Sequence, residues 1–498
     1  MEIYDSEKIR KTDLALLFDS PVTLYPESLT SLGECTLALV RFGSKKYLIA
    51  KGSGPIFDEL EGELIGSLKR CPTNHANRLV LNTYLPYTKP TINSEGRPSI
   101  GLGDRLGEAT AGHIKALEGT NVFPYFAQQS IRELNLTNRS FDEVIDSAAY
   151  AVFQMGYTAG WGADGDHLKK KEEIIHALAC GATMITLDSS DLIDNTIASL
   201  NSAELEARYT SVAEATRYFY EELYQGHTIE LGDTSLTIDR HSLMKDVLIY
   251  GQALDFIQMI WESVAAFKEG SAFLEVSIDE TATPTDPKSH LFIALELKRR
   301  GVGLKTLAPR FVGEFQKGID YIGNLAAFEE ELIIHEAIAL EFDYRLSIHS
   351  GSDKFSIFPL LAKHIDRPFH VKTAGTNWLE AMRVVALTDP VLYRRMHHHA
   401  LERFEDATRF YMVTTDLSKI KSLGTVKDSE LSAYLDDNNA RQLLHITYGY
   451  LLQDKDEDGT YLFNDEFFAL LAKEEALYQN LLEGHIGKHL VLLGWKNV

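Results

Sequence analysis

The sequence predicts an α/β protein: a (β/α)8 TIM-like barrel with an N-terminal β-containing accessory domain and a helical C-terminal extension. Three observations point there. Eight short apolar runs recur after about residue 120, and helix-length amphipathic segments separate them. The length of 498 residues also suits one barrel of about 250 residues plus appendages.

The elements follow in order. Residues 1–105 read as an accessory α/β domain. Within it, 36–42 and 46–50 are β-prone runs around the turn Gly43-Ser44-Lys45, which is a hairpin pattern. Residues 78–84 read as another strand, and the glycine- and proline-rich passage 86–107 as a boundary. The catalytic barrel is expected over 106–420. Its strands are expected at 122–127, 156–162, 182–187, 273–278, 304–308, 344–348, 369–373 and 410–414. Amphipathic stretches at 140–151, 168–180, 287–300, 326–341 and 376–387 supply helices between them. The stretch 187–274 is too long for one crossover. It predicts an insertion at about 189–270, with helices over 192–225 and 242–268 and a hairpin over 226–239. Residues 421–498 form the helical extension, with helices at 428–435, 439–452 and 464–484.

Composition narrows the function. Lys plus Arg total 49 and Asp plus Glu 72, a net charge of −23, which repels nucleic-acid backbones and anionic lipid surfaces. The longest apolar-looking uncharged run, 147–163, holds Gln154 and three glycines and falls short of a membrane span. The start, Met1 to Asp5, is charged from its second residue, so no secretory signal is expected. Three dispersed cysteines (Cys35, Cys71, Cys180) imply no disulfide framework and suit a reducing cytoplasm.

In a parallel barrel the chemistry sits at the C-terminal ends of the strands. Polar residues are dense at those places: Gln128 and Gln129; Asp164, Asp166 and His167; Asp188; Asp279 and Glu280; Arg310; His349, Asp353 and Lys354; His370 and Lys372. Three strands each bring a histidine to this face. His167, His349 and His370 are therefore the expected ligands of one divalent cation (Zn, Mn, Ni, Co or Fe), with His290 as the substitute. Asp166, beside His167, suits a base, and Glu280 an opposing acid across the mouth. Lys372 suits an oxyanion or anionic group, and Gln129, Arg310, Asp353 and Lys354 suit substrate contacts. Residues 454–459 resemble half a calcium loop, but the ninth position is Leu462 and the twelfth Asp465, so a solvated acidic turn is expected. His397-His398-His399 reads as a helix surface. Residues 101–107 are glycine-rich but fit neither dinucleotide nor P-loop spacing.

Taken together, these clusters resemble the tagaturonate/fructuronate epimerase family, which acts on sugar acids with a divalent metal. The resemblance is carried by Gly101-Leu102-Gly103-Asp104-Arg105-Leu106-Gly107, Gln128-Gln129-Ser130-Ile131-Arg132-Glu133-Leu134-Asn135 and Gly162-Ala163-Asp164-Gly165-Asp166-His167-Leu168-Lys169. It continues through Ala308-Pro309-Arg310-Phe311-Val312-Gly313, Lys317-Gly318-Ile319-Asp320-Tyr321, His349-Ser350-Gly351-Ser352-Asp353-Lys354-Phe355 and His370-Val371-Lys372-Thr373-Ala374-Gly375-Thr376, to about Arg441-Gln442. It implies interconversion of D-tagaturonate and D-fructuronate, which differ at C4. That carbon is β to the ketone, so simple enolisation does not invert it. The routes left are transient oxidation at C4, which needs a nicotinamide whose fingerprint is missing here, and retro-aldol cleavage of C3–C4. The latter needs a Lewis acid at the ketone, a base for the C4 hydroxyl proton and an acid to return one. Two other readings are a metal-dependent isomerase working by enolisation, which product analysis separates, and a non-catalytic sugar-acid sensor, which would bind without turnover.

Overall fold

The computed structural model describes residues 9–497; Met1 to Asp5, on which the signal-sequence reading rests, lie outside them. An N-terminal sheet is formed by β1 (Thr23–Leu32), β2 (Cys35–Phe42), β3 (Lys45–Gly52), β4 (Glu63–Ile65) and β5 (Leu68–Pro72). All pairs are antiparallel, in the order β1-β2-β3-β5-β4. Alternation along the strands feeds two cores. Leu37, Leu39 and Leu48 face Leu81, Tyr150 and Phe153, whereas Ala38, Val40 and Ile49 face Leu14, Leu17 and Phe18. Because both faces are covered, β2 reads as one continuous apolar run. Residues 78–84 are not a strand but belong to the helix His75–Tyr84. The Asn74 side chain caps it by accepting from the Asn77 backbone N–H at 3.0 Å.

The closed barrel is made by β6 (Ser99–Gly103), β7 (Phe123–Ser130), β8 (Gly162–Leu168) and β9 (Met184–Asp188). After the insertion hairpin β10 (Thr228–Leu231) and β11 (Thr234–Thr237) come β12 (Phe273–Ile278), β13 (Thr306–Pro309), β14 (Arg345–Ile348) and β15 (His370–Ala374). The barrel strands are parallel, and β15 pairs back onto β6 through His370↔Ser99 and Lys372↔Gly101. Three strand expectations shift. First, β6 lies inside the glycine-rich passage read as a boundary. Its glycines serve packing, since a Cβ on Gly101 would lie 2.1 Å from Gln128 Oε1 and one on Gly103 2.6 Å from the Gln128 carbonyl. Second, the strand expected at 156–162 begins where that run ends. Gly156 and Gly160 adopt positive φ (58° and 81°) and turn the chain, and the strand itself carries polar residues pointing into the barrel. Third, 410–414 is a loop at the barrel mouth, where Tyr411 lies under the Arg132 guanidinium at 4.7 Å.

The insertion holds helices Ser202–Thr210 and Glu214–Tyr224, the β10–β11 hairpin and the long helix Arg240–Ser263. In the C-terminal part, helix Glu475–Leu492 packs on helix Thr110–Leu117, close enough that a Cβ on Gly112 would lie 2.8 Å from Leu482. Helix Asn438–Ile446 leans over the barrel mouth, held by the Trp378 indole donating to the Leu444 carbonyl at 2.9 Å. The histidine run departs from its surface reading at one residue: His397 is buried against Tyr434. No helix among the described residues is long and apolar enough to cross a membrane.

Candidate active site

The site is built on alternation and one interruption of it. Along β8, Asp164 and Asp166 share the barrel-facing side. His167 would ordinarily point the other way. A register shift between Gly165 and Leu168, with His167 at φ 51°, turns its ring to the same mouth. There it meets His349, just past β14, with ring centroids 4.9 Å apart. Donor atoms of His167, His349 and Asp279 all lie within 4.8 Å of one another.

Below them Lys372 anchors a buried charge cluster. Its ammonium lies 2.8 Å from Asp164, 2.7 Å from Asp166 and 2.9 Å from Glu275, and it also donates to the Thr186 hydroxyl. Glu275 and Asp279 flank His349, at 2.8 Å from Nε2 and 3.0 Å from Nδ1. Asp188 sits 3.2 Å from His167 Nδ1 and so fixes the ring's orientation. Burial pushes Asp166 upward, but Lys372, His167 and His349 together overcome that and hold its carboxyl at about 2. Burial pushes Asp164 up to about 6, against the pull of Lys372. Burial also disfavours charge on His167, yet Asp166 and Asp188 raise it to about 10. Five carboxylates (Asp164, Asp166, Asp188, Glu275, Asp279) thus surround the Lys372 ammonium and two imidazoles, with the Lys169 ammonium 3.8 Å from Asp188 at the outer edge. This is an excess of negative charge, with the nitrogen and oxygen donors a divalent cation takes.

The structure separates other expected residues from this group. His370 is the first residue of β15, level with Ser99 and Ser347 and two residues below Lys372. Its Nδ1 bonds Ser99 Oγ at 2.9 Å, its ring packs edge-on to Tyr125, and burial lowers it to about 4. His290 is locked between His335 (2.8 Å) and the Tyr344 hydroxyl (2.6 Å). Glu280 lines the cavity with Asp166, and its carboxylate falls within 4.8 Å of donors on His167 and Asp188, so it flanks His167. Gln129 turns away and accepts from Arg139 at 3.3 Å, while its neighbour Gln128 lines the cavity. Arg310 lines the outer vestibule, donating to the Thr281 carbonyl and lying 3.8 Å from Glu314. Asp353 is buried against Arg441 (2.6 Å) and His485 (3.2 Å). Lys354 borders the cavity, but its three protons go to the carbonyls of Gln316 (2.8 Å), Ile319 (2.6 Å) and Ser352 (3.0 Å).

Glu275, in the charge cluster below the cavity, and the cavity residues Lys317 and His445 were not among the expected site residues. Glu275 had a visible signal, a lone acid inside the apolar run Phe273–Ile278. Lys317, in a loop, was marked only by its place in the stretch 317–321 that carries the family resemblance, and His445, on a helix 128 positions later, had no signal.

The profile of the UxaE tagaturonate epimerase family matches residues 25–493. The tagaturonate/fructuronate epimerase of Thermotoga maritima is 40% identical over 424 residues, covering 85% of this chain and 86% of the relative. The native crystal structure of fructuronate-tagaturonate epimerase UxaE from Cohnella laeviribosi is 50% identical, with a TM-score of 0.95 over 97% of this chain and 99% of that one. A glycerol complex of the same protein is 51% identical, with a TM-score of 0.95 over 98% and 99%. With that likeness running through the barrel and the appendages, the chain belongs to the tagaturonate epimerase family and is an enzyme of the isomerase class.

Proposed function

We propose that the chain interconverts D-tagaturonate and D-fructuronate by inverting C4, through cleavage and re-formation of the C3–C4 bond, with a divalent cation at His167, His349 and Asp279. The observation that carries this reading is the donor group of these three residues, opening on the same cavity as Asp166 and Glu280. The donor set fits a cation, since its atoms converge and the surrounding carboxylates outnumber the positive groups. A divalent ion bound there supplies Lewis acidity to neighbouring ketose oxygens.

The residues of the chain do the rest. One cavity carboxylate, Asp166 or Glu280, takes the proton from the C4 hydroxyl. The C3–C4 bond breaks, its electron pair passes to C3 and the C2 carbonyl, and C4 becomes an aldehyde. After the aldehyde turns its other face, C3 adds back and the carboxyl on the opposite side supplies a proton to O4. Atoms and charge balance, and C4 keeps its own hydrogen throughout. Lys372 holds Asp166 ionised at the edge of the cavity. The net charge of −23 and the small-molecule substrate suit a cytoplasmic enzyme.

Turnover of tagaturonate in deuterated water tests the route. Fructuronate carrying only protium at C4 is expected. Deuterium fixed at C4 would show direct proton exchange and remove the cleavage route.

A further inference from the structure

The acidic floor accounts for one end of a ketose, but a sugar acid also carries a carboxylate, and the cavity has a second, cationic wall. Arg132, Lys317, Lys354 and His445 line it. Most positive groups around it already have anionic partners: Arg105 has Glu133 at 2.6 Å, Arg441 has Asp353 at 2.6 Å, and Arg132 has Glu280 at 3.9 Å. Lys354 has used its protons on three carbonyls. Lys317 differs from these. Its ammonium donates to Ser350 Oγ at 3.1 Å, and among the described residues no carboxylate lies within ion-pairing distance.

Beside it, on helix Asn438–Ile446, His445 is fully buried and neither ring nitrogen has a hydrogen-bond partner among the described residues. A buried imidazole without a partner is costly unless a ligand completes it. Burial, reinforced by Arg105, Lys317, Arg441 and Lys354, keeps the ring neutral, so it offers one N–H.

These two residues are held by a frame that reaches across the fold. Lys354 grips the carbonyls of Gln316 and Ile319 on either side of Lys317. The helix adds a second grip, with Arg441 Nε donating to the Gly318 carbonyl at 2.7 Å and Gln442 Nε2 donating to Gln316 Oε1 at 3.0 Å. Gly318, at φ 75°, lies against the His445 ring.

We propose that Lys317 and His445 bind the carboxylate of the sugar acid, and that Lys354 and helix Asn438–Ile446 are positioning elements that hold this subsite. The proposal rests on reading the substrate as a keto-uronate. It gives the C-terminal extension a direct part in substrate selection. It also explains how a chain of net charge −23 retains an anion, because the attraction is local. In the cleavage route, the fragment bearing the carboxylate stays tethered while its aldehyde turns over.

The test compares equilibrium binding of D-tagaturonate with that of D-tagatose, which carries CH2OH in place of the carboxylate. The proteins are the parent, K317M, K317R, H445F, R310M and the surface variant K363M. In the parent the acid binds more tightly. K317M is expected to weaken tagaturonate about 10- to 100-fold, the size of one charge-assisted hydrogen bond, and to move tagatose less than about 2-fold. H445F weakens the acid about 3- to 10-fold, K317R restores most of the preference, and K363M leaves it unchanged. Equal affinity of the parent for both ligands, equal weakening of both in K317M, or a loss confined to R310M would overturn the proposal. Fructuronate formation by the parent is scored separately. If the acid preference collapses in K317M while the parent makes no fructuronate, the epimerase reading fails and the anion subsite stands. If the parent turns over and K317M keeps the preference, the subsite fails alone.

Discussion

At the acidic floor every group is rooted in a strand or just beyond one: Asp164, Asp166 and His167 on β8, Glu275 on β12 with Asp279 after it, His349 after β14, and Lys372 on β15. At the cationic wall, Lys317 comes from a loop and His445 from a helix outside the barrel, and their alignment depends on Lys354 and Arg441 gripping the backbone between them. The floor is over-determined. Its carboxylates are fixed by the strand ladder and by mutual charge. The wall is held at a few points, and its two recognition groups keep unspent hydrogen-bonding capacity. The comparison teaches that rigidity and charge pairing serve the reacting centre, whereas unsatisfied groups mark the place where a ligand completes the structure.

The sharpest break is expected at the floor. His349→Ala removes a donor and leaves Glu275 and Asp279 facing each other without their shared imidazole. Metal content by elemental analysis should fall below about one-tenth of the parent value, and kcat/KM by about 1,000-fold. His370→Gln, one layer lower, should keep its metal. Loss of metal in both variants would erase the distinction between the layers.

An intermediate effect is expected at the frame of the wall. Lys354→Met strands three carbonyls and loosens the 316–319 loop. A stability loss of about 1–3 kcal/mol by denaturant titration is expected, with KM raised more than kcat is lowered. A fall in kcat at constant KM would place Lys354 with the floor instead.

The smallest effect separates burial with a counter-ion from burial without one. Asp246, on helix Arg240–Ser263, accepts from Ser289 Oγ at 2.5 Å, while its other oxygen has no partner among the described residues. Burial raises its carboxyl to about 7. The folded chain therefore holds a proton there that the unfolded chain releases near 3.8. Folded stability falls as pH rises from about 4 to 7 and is level above. Asp246→Asn removes that fall. Thermal unfolding should show it gaining on the parent at pH 8 relative to pH 4. An unchanged difference between the two pH values would show that the site is hydrated.

Read residue by residue, the sequence determined the barrel, the insertion, the hairpin of the N-terminal sheet and most of the floor, because strand alternation and apolar periodicity are local properties of the chain. Polar residues at the ends of apolar runs marked His167, His349 and Asp166 without any knowledge of contacts. Only the tertiary structure decided the rest. Ser99–Gly103 is a strand because it pairs with β15 and β7 to close the barrel, and its glycines leave room for Gln128. A one-residue shift in β8 brings His167 round to His349, whereas pairing register sets His370 a layer lower. Lys317 and His445 meet because a helix from the end of the chain folds back over the barrel mouth. Periodicity records which face of an element is buried, but not which distant element buries it, and the cavity walls depend on that second fact.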